Sequence, residues 1–121
     1  MYEVAVEISF AAKHQLRLAD EALEPLHEHN WRVRAQLEGE ELGPDGLLLD
    51  FVKVKKLLAE IADKLRGKDL GEVAELADEN PSAENVARYF YEQLRGRFET
   101  DVRLAAVRVA EAPGCWAGYR A

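Results

Sequence analysis

Three scarcities bound what this sequence can be. Cysteine occurs once, at Cys115, so no disulfide can form within the chain, and a reducing, cytoplasmic setting is expected. Cations are outnumbered, 16 Lys and Arg against 23 Asp and Glu, for a net charge of −7. No dense Lys/Arg stripe with interleaved aromatics interrupts that acidic balance, so nucleic acid is not expected as a partner. Long hydrophobic runs are also missing. No segment approaches the roughly 18 apolar residues of a membrane span. The N-terminal MYEVAVEISF has no basic leader followed by an apolar stretch, so neither membrane insertion nor secretion is expected. Internal repeats, low-complexity tracts and linkers are absent, and residues 1–121 read as one domain. A chain of this length buries roughly two thirds of its extended surface, and needs neither disulfide nor metal merely to fold.

What is present is a clear change of period along the chain. Tyr2, Val4, Val6, Ile8 and Phe10 alternate with polar residues, and Trp31, Val33, Ala35 and Leu37 alternate again over 29–38. A period of two marks half-buried strands. A turn-rich loop around Gly43–Gly46 follows. Phe51, Val54, Leu58, Ile61 and Leu65 then recur at three- and four-residue steps, which predicts an amphipathic helix ending near Gly67. Residues 68–80 are acidic and irregular. Asn80-Pro81 predicts a second helix, with Asn80 as N-cap and Pro81 at the first helical position. Residues 102–110 read as a third strand whose alternation slips at Ala105-Ala106, the mark of a bulge. Residues 115–120 make a short fourth strand. The order predicts an α+β fold, with two helices covering one face of an antiparallel sheet.

Histidine is scarce too, and its placement is informative. There are three, His14, His27 and His29. Residues two apart on a strand point to the same side, so His27 and His29 share the side of Trp31 and Val33. His14 follows the first strand, at the end that meets the start of the second in a hairpin. Three imidazoles and one open position suit a catalytic zinc, although copper, nickel or iron also accept such a set. The other reading is three surface histidines on an acidic protein. The zinc-protease signature is not met, because position 31 is Trp31.

Five segments carry a family resemblance. Phe10-Ala11-Ala12-Lys13-His14 resembles F-x-A-A-H, and Leu26-His27-Glu28-His29-Asn30-Trp31 resembles L-H-G-H-N-[YW]. Gly46–Phe51 resembles G-x-[VL]-x-D-F, and Asn80-Pro81-Ser82-Ala83-Glu84-Asn85 resembles N-P-[TS]-[AS]-E-N. Glu111-Ala112-Pro113 followed by Tyr119 resembles the terminal E-T-P…Y. Together, in this order, they resemble the 6-pyruvoyl-tetrahydropterin synthase and 6-carboxytetrahydropterin synthase family. The resemblance implies the tunnelling fold, a four-stranded antiparallel sheet with two helices on one face, assembled as a trimer or as a hexamer of two stacked trimers. It also implies zinc on His14, His27 and His29, and a reduced pterin as substrate at a site between subunits. Glu111 is implied to hold the pterin's guanidine-like edge, a task that suits a carboxylate accepting two parallel N–H bonds. Ser82 and Asp50 match further substrate-site positions, and Asp50 reads equally as a cap on the helix that begins at Phe51.

Departures from the family pattern bear on the reaction. The family cysteine four residues before the histidine pair is Leu23 here, and the aspartate and histidine after the first helix are Arg66 and Gly67. The usual proton-transfer groups are therefore missing. Glu24, three residues before His27, resembles a subgroup that carries glutamate instead of the cysteine and cleaves the side chain of 7,8-dihydroneopterin triphosphate to 6-hydroxymethyl-7,8-dihydropterin. Glu24 is the implied general base. Two alternatives remain: a 6-carboxytetrahydropterin synthase reaction without its usual residues, and a pterin-binding homologue that has lost catalysis. Glu28, in place of the family glycine, is expected to point away from the metal.

Overall fold

The computed structural model describes residues 1–121. Strand β1 (Tyr2–His14) pairs antiparallel with β2 (His27–Gly39), β2 with β3 (Arg103–Ala112), and β3 with β4 (Cys115–Tyr119), giving the order β1-β2-β3-β4. Helices α1 (Phe51–Asp63), α2 (Ala74–Ala77) and α3 (Ala83–Leu94) lie between β2 and β3 in sequence. The expected α+β architecture is what forms, and the irregular acidic segment holds a short 3-10 turn at Leu70–Glu72 as well as α2.

Parity along the strands fixes the covered face. Val6, Phe10, Ala12, Trp31, Val33, Leu37 and Val109 are buried against Val54, Leu58 and Ile61 of α1 and Val86, Phe90 and Leu94 of α3. Each fully buried aliphatic side chain contributes roughly 1.5–3 kcal/mol. The slip at Ala105 is a true bulge: Gln36 faces Ala106 while Leu37 faces Leu104. It lets Leu104 and Val107 both turn inward despite their odd spacing. The uncovered face is polar. Glu7 bonds Arg32 and Arg34 at 3.0 Å each, and both guanidiniums lie over the ring of Trp116. Burial alone would raise the Glu7 pKa, but the two arginines hold it below the usual carboxylate range.

Several boundaries differ from the sequence reading: the first helix ends at Asp63 rather than near Gly67, and three others position the site. β1 runs on through Ala11–His14, and β2 starts at His27, because Ala11↔Asn30 through His14↔His27 continue the ladder. The histidines are thus part of the sheet. The second long helix is capped by Ser82, whose Oγ accepts from Asn85 N–H at 3.2 Å. Asn80 is not the cap, since its side chain is engaged elsewhere: it accepts from Arg17 N–H at 2.7 Å and donates to Arg17 C=O at 2.8 Å.

Candidate metal centre

The ladder itself assembles the histidines. His14 stands opposite His27, and Ala12 opposite His29. His14 continues the inward line of Phe10 and Ala12, and the other two continue that of Trp31 and Val33. All three rings therefore meet at one end of the covered face. Ring centroids are 4.6 Å apart for His14–His27 and His27–His29, and 5.2 Å for His14–His29. Trp31 closes the floor beneath them, edge-on to His14 at 4.9 Å, with its indole N–H donated to Ala12 C=O at 3.1 Å.

Backbone carbonyls orient two of the rings. His14 Nδ1 lies 2.7 Å from Pro81 O, and His27 Nδ1 lies 2.9 Å from Pro25 O. A carbonyl only accepts, so both Nδ1 atoms carry a proton and donate, and in the neutral rings Nε2 is left as a lone pair for a metal. His14 Nε2 is buried without any hydrogen-bond partner, the expected condition of a ligand atom waiting for an ion. One ligand atom from each histidine lies within 4.8 Å of the others. A tetrahedral zinc with bonds of 2.0–2.1 Å needs about 3.4 Å between nitrogens, so small side-chain rotations close the set. Burial holds the His29 pKa below its ordinary value; Glu111 and Glu24 oppose that shift, and the neighbouring imidazoles reinforce it. The neutral ring thus favoured is the metal-binding form. The donor set fits zinc.

Two carboxylates approach this cluster, and they are held differently. Glu24 accepts from Leu16 N–H at 3.0 Å, and its own N–H donates to Leu16 C=O at 3.0 Å. That pairing folds residues 16–24 back on themselves and sets Glu24 Oε1 3.8 Å from His27 Nε2. Glu111, near the end of β3, places Oε2 3.2 Å from His14 Nε2, and this oxygen too is buried without a hydrogen-bond partner.

The family model described as 6-pyruvoyl tetrahydropterin synthase matches residues 3–121. The chain belongs to that family. A Pyrococcus furiosus relative, dihydroneopterin monophosphate aldolase, is 30% identical over 103 residues, covering 85% of this chain and 83% of its own. The structure of Caenorhabditis elegans 6-pyruvoyl tetrahydropterin synthase superposes with a TM-score of 0.79 at 25% identity, covering 100% of this chain and 97% of that one. The Plasmodium vivax 6-pyruvoyl tetrahydropterin synthase gives 0.76 at 20% identity, over 98% and 96% of the two chains. These likenesses share the sheet-and-helix arrangement described above.

Other family positions are distributed unevenly around the centre. Ser82 adjoins Pro81, whose carbonyl holds His14, so its segment borders the site. Asp50 does not join the histidines within one chain. It caps α1, accepting from Val52 N–H at 2.9 Å, beyond the Gly39 end of β2. That end lies a strand of 13 residues from His27, or about 40 Å at ~3.3 Å per residue. Leu23 is exposed. Arg66 pairs with Asp63 at 3.3 Å. Gly67 has φ +74° and donates its N–H to Ala11 C=O at 2.7 Å; its left-handed backbone favours glycine. Neither position offers a proton-transfer group. Cys115 is exposed where the β3–β4 turn closes, and Glu28 is exposed on the opposite side of β2 from the histidines, as expected. The carbonyls of Pro81 and Pro25 were not legible from sequence, because a backbone acceptor leaves no residue-type signal.

Proposed function

We propose that the protein is a zinc-dependent lyase that cleaves the side chain of a phosphorylated 7,8-dihydroneopterin, the triphosphate in the first instance, to 6-hydroxymethyl-7,8-dihydropterin. The observation that carries this reading is the Glu24 carboxylate fixed beside His27. Zinc on His14, His27 and His29 would polarise the side-chain oxygens when bound. Glu24, the one carboxylate there held by backbone hydrogen bonds, takes the proton from the second side-chain hydroxyl. The bond between the first and second side-chain carbons breaks, the second carbon becomes an aldehyde, and the electron pair passes into the ring imine. A proton then returns to the first carbon. Glu111 receives the guanidine-like edge of the pterin, and Ser82 borders the same pocket. Asp50 reaches substrate in this reading only through a neighbouring copy. In the Plasmodium vivax synthase a glutamate is described as a catalytic residue, replaced there by alanine or cysteine, and the Pyrococcus furiosus relative is named an aldolase. The first is consistent with a carboxylate in this role, and the second with cleavage of a carbon–carbon bond.

The outer edges of β1 and β4 have no partner in the sheet. Pairing them between copies would close a barrel and remove both edges, which supports a trimer or a stacked hexamer. No helix is long and apolar enough to cross a membrane.

The test is a product assay on zinc-loaded protein with dihydroneopterin triphosphate and monophosphate, separated by chromatography. Release of 6-hydroxymethyldihydropterin, lost in Glu24→Ala, is expected. Acetaldehyde instead of that product would indicate the 6-carboxytetrahydropterin synthase reaction, and tight pterin binding without turnover would indicate a non-catalytic homologue. Either outcome rejects the lyase.

A further inference from the structure

We infer that Glu111 is itself a ligand of the metal in the substrate-free protein, binding through Oε2 as the fourth donor beside the three histidines. The observation is an electrostatic conflict at the centre of the site. In its neutral, metal-binding form His14 has one ring proton, and Nδ1 gives it to Pro81 O at 2.7 Å. Its Nε2 therefore presents a lone pair, and that lone pair faces a carboxylate oxygen 3.2 Å away. Both atoms are buried, and neither has a hydrogen-bond partner. Two acceptors do not stay in buried contact without a cation between them.

The spacing suits a metal ion. Bonds of about 2.1 Å to nitrogen and oxygen, with the two donors 3.2 Å apart, subtend an angle of roughly 100° at the ion, near the tetrahedral value expected of zinc. Glu24 is the weaker competitor for the position. Its Oε1 stands further from the nearest imidazole, 3.8 Å from His27 Nε2, and is engaged by Leu16 N–H. Glu111 has no such tether and is about a third exposed, so its carboxylate is free to move. A consequence follows for the function proposed above. A carboxylate with one oxygen on the metal cannot offer both to a planar pair of N–H donors. Arrival of the pterin edge would draw Glu111 away and open the coordination position that the substrate oxygens need.

The inference rests on the metal site, not on the reaction, and its test contains no pterin. Cobalt(II) is titrated into metal-free protein, and the visible absorption and the chelator-competed affinity are measured for the native chain, Glu111→Gln and Glu24→Gln. Loss of a second-sphere partner alone typically weakens metal binding 10–100-fold. Loss of a direct ligand is expected to weaken it at least about that much and to change the position and intensity of the cobalt bands. Glu24→Gln is expected to leave the bands in place. Unchanged bands and affinity in Glu111→Gln, or a change in Glu24→Gln alone, overturns the assignment while leaving the three-histidine site intact. No cobalt binding by the native chain overturns both. The native chain also gives a reading independent of any variant. Zinc loading should shift one carboxylate stretch in the infrared difference spectrum, and a spectrum with no carboxylate shift rejects a carboxylate ligand.

Discussion

The two ends of the β-sheet are built for different purposes. At the His27 end of β2, polar atoms are buried and left without partners, backbone carbonyls are spent on orienting imidazoles, and two carboxylates crowd three nitrogens. At the Gly39 end the carboxylates of Glu38 and Asp50 have partners. Asp50 satisfies a helix N-terminus, and the backbone approaches itself closely at Gly39. The half-apolar cavity there, of about 350 Å³, is lined by Leu48, Leu49, Val54, Leu57, Phe98 and Val102 and by none of the histidines. Unsatisfied polar groups at one end and satisfied ones at the other is the pattern expected when one end holds reactive chemistry and the other holds the fold. Substitutions at the two ends should therefore separate cleanly, chemistry lost at one and stability at the other.

The largest effect belongs to the histidines. His29→Ala or His27→Ala removes one of three donors, and metal content measured by atomic emission should fall from about one ion per chain to near zero. Adding zinc to metal-free native protein should raise its melting temperature, since a ligand that binds only the folded state at ~1,000 times its Kd adds about 4 kcal/mol. Neither variant should show that rise. A full complement of zinc in both, on protein never exposed to chelator, would dissolve the contrast between the ends.

Next comes Glu24→Gln. General-base catalysis contributes typically 10²–10⁴-fold, so turnover of dihydroneopterin triphosphate should drop by about that factor with zinc content unchanged. Glutamine keeps the contact with Leu16 N–H through its amide oxygen, which separates loss of the base from loss of the loop that carries it. A variant that turns over at the native rate would strip Glu24 of its role.

This end of the molecule also marks how far sequence carries. The side on which His27 and His29 lie follows from strand parity alone, and parity extended to Trp31 identified the buried face correctly. His14 was placed at the right end by the hairpin argument, but its membership of β1 depended on four ladder pairs beyond Phe10 that no alternation announces. Meetings between distant segments were out of reach. The His14 to Pro81 bond spans 67 residues, and Glu111 reaches His14 only because β3 runs beside β2, which runs beside β1. Asn80 illustrates a different difficulty. Asn80 and Ser82 are both good caps, and local sequence could not know that Arg17 claims the first.

At the settled end, Gly39→Ala should cost stability and spare the metal. A Cβ at position 39 would sit 2.7 Å from Leu48 Cδ1 and 2.9 Å from Asp101 O. The leucine methyl can turn away, but the carbonyl belongs to backbone. Overpacking of this kind costs typically 1–3 kcal/mol, read as a lower denaturant midpoint at an unchanged slope. Zinc affinity should equal that of the native chain.

The smallest effect should come from Asp50→Ala, and it sharpens the comparison most. Loss of an N-cap side chain costs typically about 1 kcal/mol, while asparagine caps as well as aspartate. Asp50→Ala should therefore lower the melting temperature by several degrees, and Asp50→Asn should restore it, with zinc binding native in both. A carboxylate that also served a neighbouring copy's site would separate from a cap in one measurement: Asp50→Asn would keep the native melting temperature and raise KM for the pterin, because the amide preserves the bond to Val52 N–H but removes the charge. A native KM in Asp50→Asn assigns this residue to the helix alone, and the division between the two ends then holds down to a single side chain.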